Sequence, residues 1–325
     1  MARPNRGTVK DALPGELSVE DSYLLAVSGG RDSMALLHRL HAAGFRHLSV
    51  CHLNHCLRGE ASNLDAELVE KTAGEMGLPF YLKEEDIAAR AKENGQSLET
   101  AAREARYEFF AEVAETTACS TVILAHHADD QIETVLMKLF RGAGPTGLSG
   151  MDLSSERTIK NQRLTLRRPL LQVYRSEIER YVVENEIPFR EDESNGEMFA
   201  LRNRVRHRLV PILNEVFERD IRSSVLGMSE LQRKMAAAID ELVPESTAGA
   251  LDVSSLGKMP EAIRDKVILD WLRENSVPDC GSKEVCRVIE MALSKDKPAK
   301  VNLPGDVHAR RRAGVVFLEF PEGWE

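Results

Sequence analysis

Short apolar runs alternate with longer amphipathic stretches from residue 24 to residue 140. Leu24-Leu25-Ala26-Val27 precedes a helical pattern with Leu36, Leu37 and Leu40 on one face. His47–Leu53 precedes a helix around Ser62–Gly74, and Phe80–Leu82 precedes a helix that Ser97 is placed to cap and that runs to about Glu115. Thr121–Ala125 then leads into a helix over Asp129–Phe140. Strands that alternate with helices of this length need crossover connections, so the predicted class is α/β with a parallel sheet. Ligands of such sheets sit beyond the carboxyl ends of the strands. Ser28–Ser33 and His126–Glu133, the two segments densest in reactive side chains, both fall there.

The rest of the chain reads differently. Thr158–Leu166 alternates weakly, as a hairpin would, and Arg175–Glu186 is an amphipathic helix that Pro188 stops. Val205, Leu209, Ile212, Leu213 and Val216 keep helical spacing, with Pro211 expected to kink or restart the helix. A helix is predicted over Ile221–Leu242, a linker or turn region over Pro244–Leu256, and two more helices over Pro260–Asn275 and Lys283–Ser294. Strands over Ala299–Leu303, Val307–Arg311 and Val315–Phe320 close the chain.

A length of 325 residues suits two or three domains. Charges interrupt every apolar run before the ~18 residues that a membrane span needs, and no apolar stretch follows the basic N-terminal residues, so the expected location is cytoplasmic. The five cysteines, Cys51, Cys56, Cys119, Cys280 and Cys286, include no C-x-x-C pair, which argues against a disulfide framework or a thiolate metal site. The net charge of −9 is a weak argument against a nucleic-acid partner. Its distribution points the other way: Arg157, Lys160, Arg163, Arg167, Arg168 and Arg175 face one acid, Glu156, and Arg202, Arg204, Arg206 and Arg208 crowd a single helix.

Ser28-Gly29-Gly30-Arg31-Asp32-Ser33 joins a strand to a helix. Two glycines permit a tight turn whose N–H groups converge, two hydroxyls add donors, and the helix N-terminus adds its positive end. Together they suit a phosphate. Asp32 would repel that phosphate unless a cation lay between them, which argues for Mg²⁺. The loop lacks the Gly-Lys-Ser/Thr ending of the kinase-type phosphate loop and does not match G-x-G-x-x-G. In His126-His127-Ala128-Asp129-Asp130-Gln131-Ile132-Glu133, a helix would bring Asp130 and Glu133 to one face at its N-terminus, where two carboxylates suit a metal or a cationic amine. Helix capping by ordinary solvated acids is the alternative. On the 202–208 helix, with Val205 facing the core, Arg202 and Arg206 fall on one shoulder and Arg204 and Arg208 on the other. Such arginines either grip phosphates or pair with Glu191, Asp192, Glu193 or Glu215.

The S-G-G-x-D-S loop resembles that of the PP-loop ATP pyrophosphatases. H-L-N-H at 52–55 with Leu57-Arg58-Gly59, E-x-x-A-R-x-x-R-Y at 99–107 and H-H-x-x-D-Q-x-E-T at 126–134 narrow the resemblance to the tRNA(Ile)-lysidine synthases. So do L-F-R-G-A-G-P-T-G-L-S-G-M at 139–151, R-P-L-L at 168–171 and R-N-R-V-R-H-R-L-V-P-I-L at 202–213. The similarity is densest over 21–217 and weaker beyond, where V-N-L-P-G-D at 301–306 fits a small C-terminal domain. It implies a tail over 1–20, a PP-loop catalytic domain over 21–217, and, after a helical linker, a small α+β tRNA-binding domain within 218–325.

The implied reaction is adenylation of the C2 oxygen of the wobble cytidine in a tRNA(Ile) with a CAU anticodon. The ε-amine of L-lysine then displaces AMP. Ser28, Gly29, Gly30, Arg31, Asp32 and Ser33 would bind ATP, with Asp32 on Mg²⁺. Asp32, Arg106, His126, Asp130 and Glu133 would be catalytic, and Arg141, Arg202, Asn203, Arg206 and Arg208 would meet the tRNA. A homodimer is compatible with this reading. The rivals are another PP-loop tRNA-modifying enzyme, such as a 2-thiocytidine thiolase, which the missing C-x-x-C opposes, and a non-catalytic nucleotide sensor, which would not need the five catalytic candidates together.

Overall fold

A computed structural model describes residues 17–191, 201–244, 249–294 and 296–321. The expected tail over 1–20 therefore lies mostly outside the described residues, as do Asp192 and Glu193. The chain divides into two compact units. One takes in the described residues up to Thr134 together with Met151–Leu226, and the other takes in Val135–Gly150 and the residues from Gly227 onward.

The first unit is built on a six-stranded sheet. Its strands are β1 (Tyr23–Ala26), β2 (Leu48–Asn54), β3 (Phe80–Glu84), β4 (Thr121–Ile123), β5 (Ser154–Ile159) and β6 (Gln162–Arg167), in the order β3-β2-β1-β4-β6-β5. The four predicted strands run parallel, and β6 of the hairpin joins them as a fifth. The hairpin adds β5 as an antiparallel edge. The helices up to residue 240 are α1 (Arg31–Ala42), α2 (Glu60–Glu75), α3 (Ile87–Glu93), α4 (Leu98–Thr117), α5 (Ala128–Leu139), α6 (Pro145–Leu148), α7 (Arg175–Glu184), α8 (Leu201–Arg204), α9 (Val210–Val216) and α10 (Arg222–Asp240), of which α6, the end of α5 and most of α10 fall in the second unit. Ser97 caps α4 as its sequence suggests, accepting the Thr100 N–H at 3.1 Å.

Neighbouring strand residues face opposite ways, so the apolar run of β1 fills both sides of the sheet. Leu25 joins Met34, Leu37, Ile178 and Tyr181 on one side. Leu24 joins Phe109, Phe110, Val122 and Leu164 on the other. Both leucines are fully buried, and each such side chain contributes about 1.5–3 kcal/mol. This packing fixes the carboxyl end of β1, where the glycine loop begins.

Pro211 does not interrupt its helix, whose backbone stays right-handed helical at Arg204, Leu209 and Val210. A π-helical turn, Val205–Leu209, joins α8 to α9, and Pro211 sits in the first turn of α9. A wider turn shifts the helical phase of the residues after it. The apolar stripe predicted from even 3.6-residue spacing is consequently not kept: Val205 is buried, whereas Ile212 and Val216 are exposed.

In the second unit, β7 (Ala250–Asp252), β8 (Lys300–Asn302), β9 (His308–Arg312) and β10 (Val315–Glu319) form an antiparallel sheet in the order β7-β10-β9-β8. The helices α11 (Val253–Lys258), α12 (Glu261–Glu274) and α13 (Ser282–Leu293) accompany it, and Leu251, Trp271, Val288, Ala309 and Val316 share its core. The stretch predicted as a linker, Pro244–Leu256, instead holds β7 and the start of α11. A strand of three residues is too short for its alternation to register in sequence. No helix among the described residues is long and apolar enough to cross a membrane.

Candidate active site

The glycine loop leaves β1 and enters α1. Gly29 has φ +84°, and a Cβ there would lie 3.3 Å from both Cβ and the backbone oxygen of Asp65. Glycine is needed on both counts. Ser33 Oγ accepts the Ser28 N–H at 3.1 Å, lies 3.2 Å from Ser28 Oγ and donates to the Gly30 carbonyl at 2.9 Å. The two hydroxyls predicted as phosphate donors thus tie the loop to itself. No side chain caps α1, so the N–H groups of its first turn remain available to an anion.

Arg31 is turned away from that role in this structure. Its guanidinium reaches Glu179 Oε1 at 2.5 Å, pairs with Glu191, and lies 5.0 Å from the centre of the Phe189 ring. Two other arginines flank the loop. Buried Asp65 holds Arg58 at 2.5 Å and Arg190 at 2.7 Å, and the Arg190 N–H donates to the Gly29 carbonyl at 3.0 Å. Arg58 lies in the Leu57-Arg58-Gly59 motif, but nothing in the sequence marks Asp65 or Arg190.

The second motif meets the first through His127, whose part in the site its sequence context does not mark. This side chain is 2% exposed. Its Nδ1 accepts the Asp130 N–H at 3.4 Å, while the His127 N–H donates to Asp130 Oδ2 at 3.0 Å. The ring proton is therefore left on Nε2, which stands 3.6 Å from Asp32 Oδ2 and 3.6 Å from Asp130 Oδ2. Asp32 from α1 and Asp130 from α5 converge on one imidazole. Burial opposes charge on His127, but Asp130, Asp32 and Asp129 together raise its pKa above the ordinary value. Burial likewise pushes Asp130 up, and His127 and His126 more than offset it, holding the carboxyl below its usual range. His126 is lowered to about 4 by burial, with Arg168, Arg202 and Arg106 adding to the effect against Asp130. It is a neutral imidazole at pH 7, and its buried Nδ1 has no hydrogen-bond partner.

Glu133, 2% exposed, is already neutralised. Arg206 donates from Nε to Glu133 Oε1 at 2.5 Å and from Nη2 to Glu133 Oε2 and Asp130 Oδ1, each at 3.2 Å. Arg202 lies 3.3 Å from Glu133 Oε2 and donates to Thr134 Oγ1 at 3.0 Å. The shoulder carrying Arg202 and Arg206 thus pairs with acids, though with those of α5 rather than with Glu191 or Glu215. Buried carboxylates attract the guanidiniums more strongly than exposed ones would. Arg204 and Arg208, on the opposite shoulder, are exposed, as is Arg141, while Asn203 is half-buried. Arg106 is exposed on α4, with Nη2 3.5 Å from His55 Nε2. Burial, then Arg106 and His52, lower His55 to about 4.

Beside Glu133 and Arg206 opens a cavity of about 340 Å³. Asp129 and Arg222 supply further charge to its wall, and Ile132, Val210 and Pro211 supply apolar surface. No cluster of three or more His, Cys, Asp or Glu side chains among the described residues is arranged to hold a metal. Mg²⁺ does not require one, since it is commonly held by one or two carboxylates plus substrate phosphates. Asp32 Oδ1 is buried without a hydrogen-bond partner, which fits a carboxylate completed by such a cation.

The PP-loop domain family matches residues 8–213. A tRNA(Ile)-lysidine synthase of Geobacter sulfurreducens is 36% identical, over 92% of this chain and 67% of its own length. One of Solibacter usitatus is 35% identical, over 91% and 68%. A bifunctional TilS/HprT protein of Listeria monocytogenes is 33% identical over 93% of this chain, which spans only 48% of that relative's length. Among solved structures, the U34-tRNA thiolase NcsA of Methanococcus maripaludis superposes with a TM-score of 0.52 at 15% identity, covering 66% of this chain and 72% of that one. That likeness concerns the fold alone.

Proposed function

The chain belongs to the tRNA(Ile)-lysidine synthase family of PP-loop proteins, and from that membership we propose that it ligates L-lysine to C2 of the wobble cytidine of a tRNA(Ile) with a CAU anticodon. ATP adenylates the C2 oxygen and pyrophosphate leaves. The lysine ε-amine then attacks C2, and AMP leaves with the C2 oxygen. The observation that carries this reading is the meeting of Asp32, from the glycine loop, with Asp130, from the acidic helix, at His127. A nucleotide loop alone would serve a sensor. A second carboxylate held beside it serves chemistry on the nucleotide.

In this reading the first-turn N–H groups of α1 receive the pyrophosphate. Asp32 would hold a Mg²⁺ ion, which when bound would neutralise phosphate charge. Arg106 and neutral His126 stand by the reacting base, where an uncharged imidazole offers a hydrogen bond without repelling a developing cation. The charged cavity beside Glu133 is suited to lysine, with Ile132 and Val210 matching methylenes. The lysine carboxylate would compete for Arg206 and Arg222, and its amines for the Glu133 and Asp129 that pair with those arginines in this structure. The attacking amine, with a reference pKa of ~10.4, has to lose a proton in the site. Arg141, Asn203 and Arg208, together with the residues from 218 onward, are assigned to tRNA contacts. A cytoplasmic enzyme fits this substrate. A thiolase reading gains no support from the cysteines: all five are free, and Cys51 and Cys119 are buried.

The test is direct. The protein is incubated with ATP, Mg²⁺, labelled lysine and a tRNA(Ile) transcript carrying CAU or UAU. Label is expected in the CAU transcript only, with AMP formed when both tRNA and lysine are present. Absence of label from both transcripts refutes the proposal.

A further inference from the structure

One carboxylate outside the glycine loop is tied to the loop's backbone. Asp65, on α2, is buried. Its Oδ1 accepts from Arg190 Nε at 2.7 Å, and its Oδ2 accepts from Arg58 Nη2 at 2.5 Å. The segment that carries Arg190 follows α7, and Ile187 and Phe189 anchor it in the core. Beyond that anchor Arg190 is held twice. Asp65 holds its side chain, and the Gly29 carbonyl accepts its N–H at 3.0 Å.

A peptide plane cannot turn its two polar groups independently. The Gly29–Gly30 bond is trans, so its C=O and its N–H point opposite ways. With the Gly29 carbonyl drawn to Arg190, the Gly30 N–H faces the inner side of the loop. There it donates to Ser28 Oγ at a long 3.4 Å. Such a bond is readily exchanged for a shorter one to a phosphate oxygen. Two successive glycines carry no side chain that would fix this plane, so its setting has to come from outside the loop.

We propose that Asp65 is a positioning residue for nucleotide binding: through Arg190 it fixes the Gly29–Gly30 peptide with the Gly30 N–H aimed at the phosphates. The proposal rests on the ATP-dependent reading and deepens it by assigning the aim of the loop to a residue on another helix. Charge alone makes the opposite forecast. Asp65 is an acid beside an anion site, so removing it strengthens phosphate binding if electrostatics decides. If peptide orientation decides, removing it weakens binding.

Isothermal titration calorimetry of the full chain with ATP and Mg²⁺, and separately with AMP, separates the two without tRNA or lysine. Asp65→Ala keeps the Cβ that lies beside Gly29 and removes only the carboxylate. Arg190→Ala keeps the N–H and removes its anchor. Each is expected to weaken ATP binding roughly 3- to 30-fold, part of the worth of one hydrogen bond to a charged group. AMP, which lacks the β- and γ-phosphates, should lose less. The double variant should bind no more weakly than the worse single variant, since both changes break one chain of contacts. Tighter or unchanged ATP binding by Asp65→Ala overturns the proposal, as does an equal loss for ATP and AMP. If Asp65→Ala fails to fold, Arg190→Ala decides, because its side chain is more than a third exposed. Unchanged affinity in that variant, or a loss that high salt abolishes as it would a direct charge effect, overturns the proposal. Lysine transfer by the parent is followed in parallel. Transfer by the parent, with parent-like ATP binding in the variants, sinks the positioning role alone. The expected ATP affinities without any transfer keep that role and sink the ligation.

Discussion

Gly29→Ala probes the loop on which the nucleotide site depends, and Gly44→Ala is its control. Both glycines have left-handed backbones, φ +84° and +96°, but a Cβ at Gly44 meets nothing within 4 Å. Placing alanine in that region costs about 1–2 kcal/mol, and this is the whole expected effect at Gly44. At Gly29 the new methyl also arrives 3.3 Å from Asp65, whose carboxylate is fixed by Arg58 and Arg190. Asp65 cannot retreat without disturbing both pairs, so a further ~1–3 kcal/mol of overpacking is expected. Thermal unfolding followed by far-UV circular dichroism reports both units together. Buried Trp271 lies in the core of the second unit, so its fluorescence reports that unit separately. Gly29→Ala should lower the dichroism midpoint more than Gly44→Ala, leave the Trp271 signal in place, and abolish AMP release. Equal stability losses in the two variants, with AMP release retained in Gly29→Ala, would refute the close-approach argument.

Two further expectations concern charge. Asp32→Ala should abolish turnover with an unchanged dichroism spectrum, because this side chain is a third exposed and its Oδ1 has no protein hydrogen bond to lose; normal turnover would remove the metal assignment. His126 has a folded pKa of about 4 against an ordinary 6.5, so between those values the unfolded chain binds a proton that the folded chain does not. Stability should therefore fall with decreasing pH across that window, by at most about 3 kcal/mol from this residue. In urea titrations at pH 7 and pH 5, His126→Asn should show a smaller drop than the parent, with the same-signed contribution of His55 remaining. An identical drop would show that His126 is not held neutral.

The parallel sheet and the placing of both motifs at strand ends were legible because each rests on local patterning: apolar strands such as Leu24–Val27, a capping Ser97, a glycine pair at a strand terminus. What escaped was long-range or geometrically irregular. The π-turn at Val205–Leu209 has no 3.6-residue signature, so even spacing places Ile212 and Val216 inward when both are exposed. Asp65 and Arg190 look like any surface charges until folding brings them to Gly29, 36 and 161 positions away in the chain. His127 stands in a recognisable motif, but which of two adjacent histidines faces the carboxylates depends on the backbone path into α5. The pairing of Arg206 with Glu133 is a third such case: helical spacing locates the arginines, and only the tertiary structure chooses their partners.

The order of the strands also bears on how the protein emerges during synthesis. The first strand made, β1, is central: β2 covers one edge early, but its other edge waits for β4, some hundred residues later. The glycine loop waits longer still, since the chain reaches Arg190 only after the whole sheet has been translated. A ribosome-bound fragment ending before β4 would display an unpaired parallel edge, a template for mispairing. Competence to hold a nucleotide is consequently a late acquisition of the growing polypeptide, arriving only after nearly the entire first unit has left the exit tunnel.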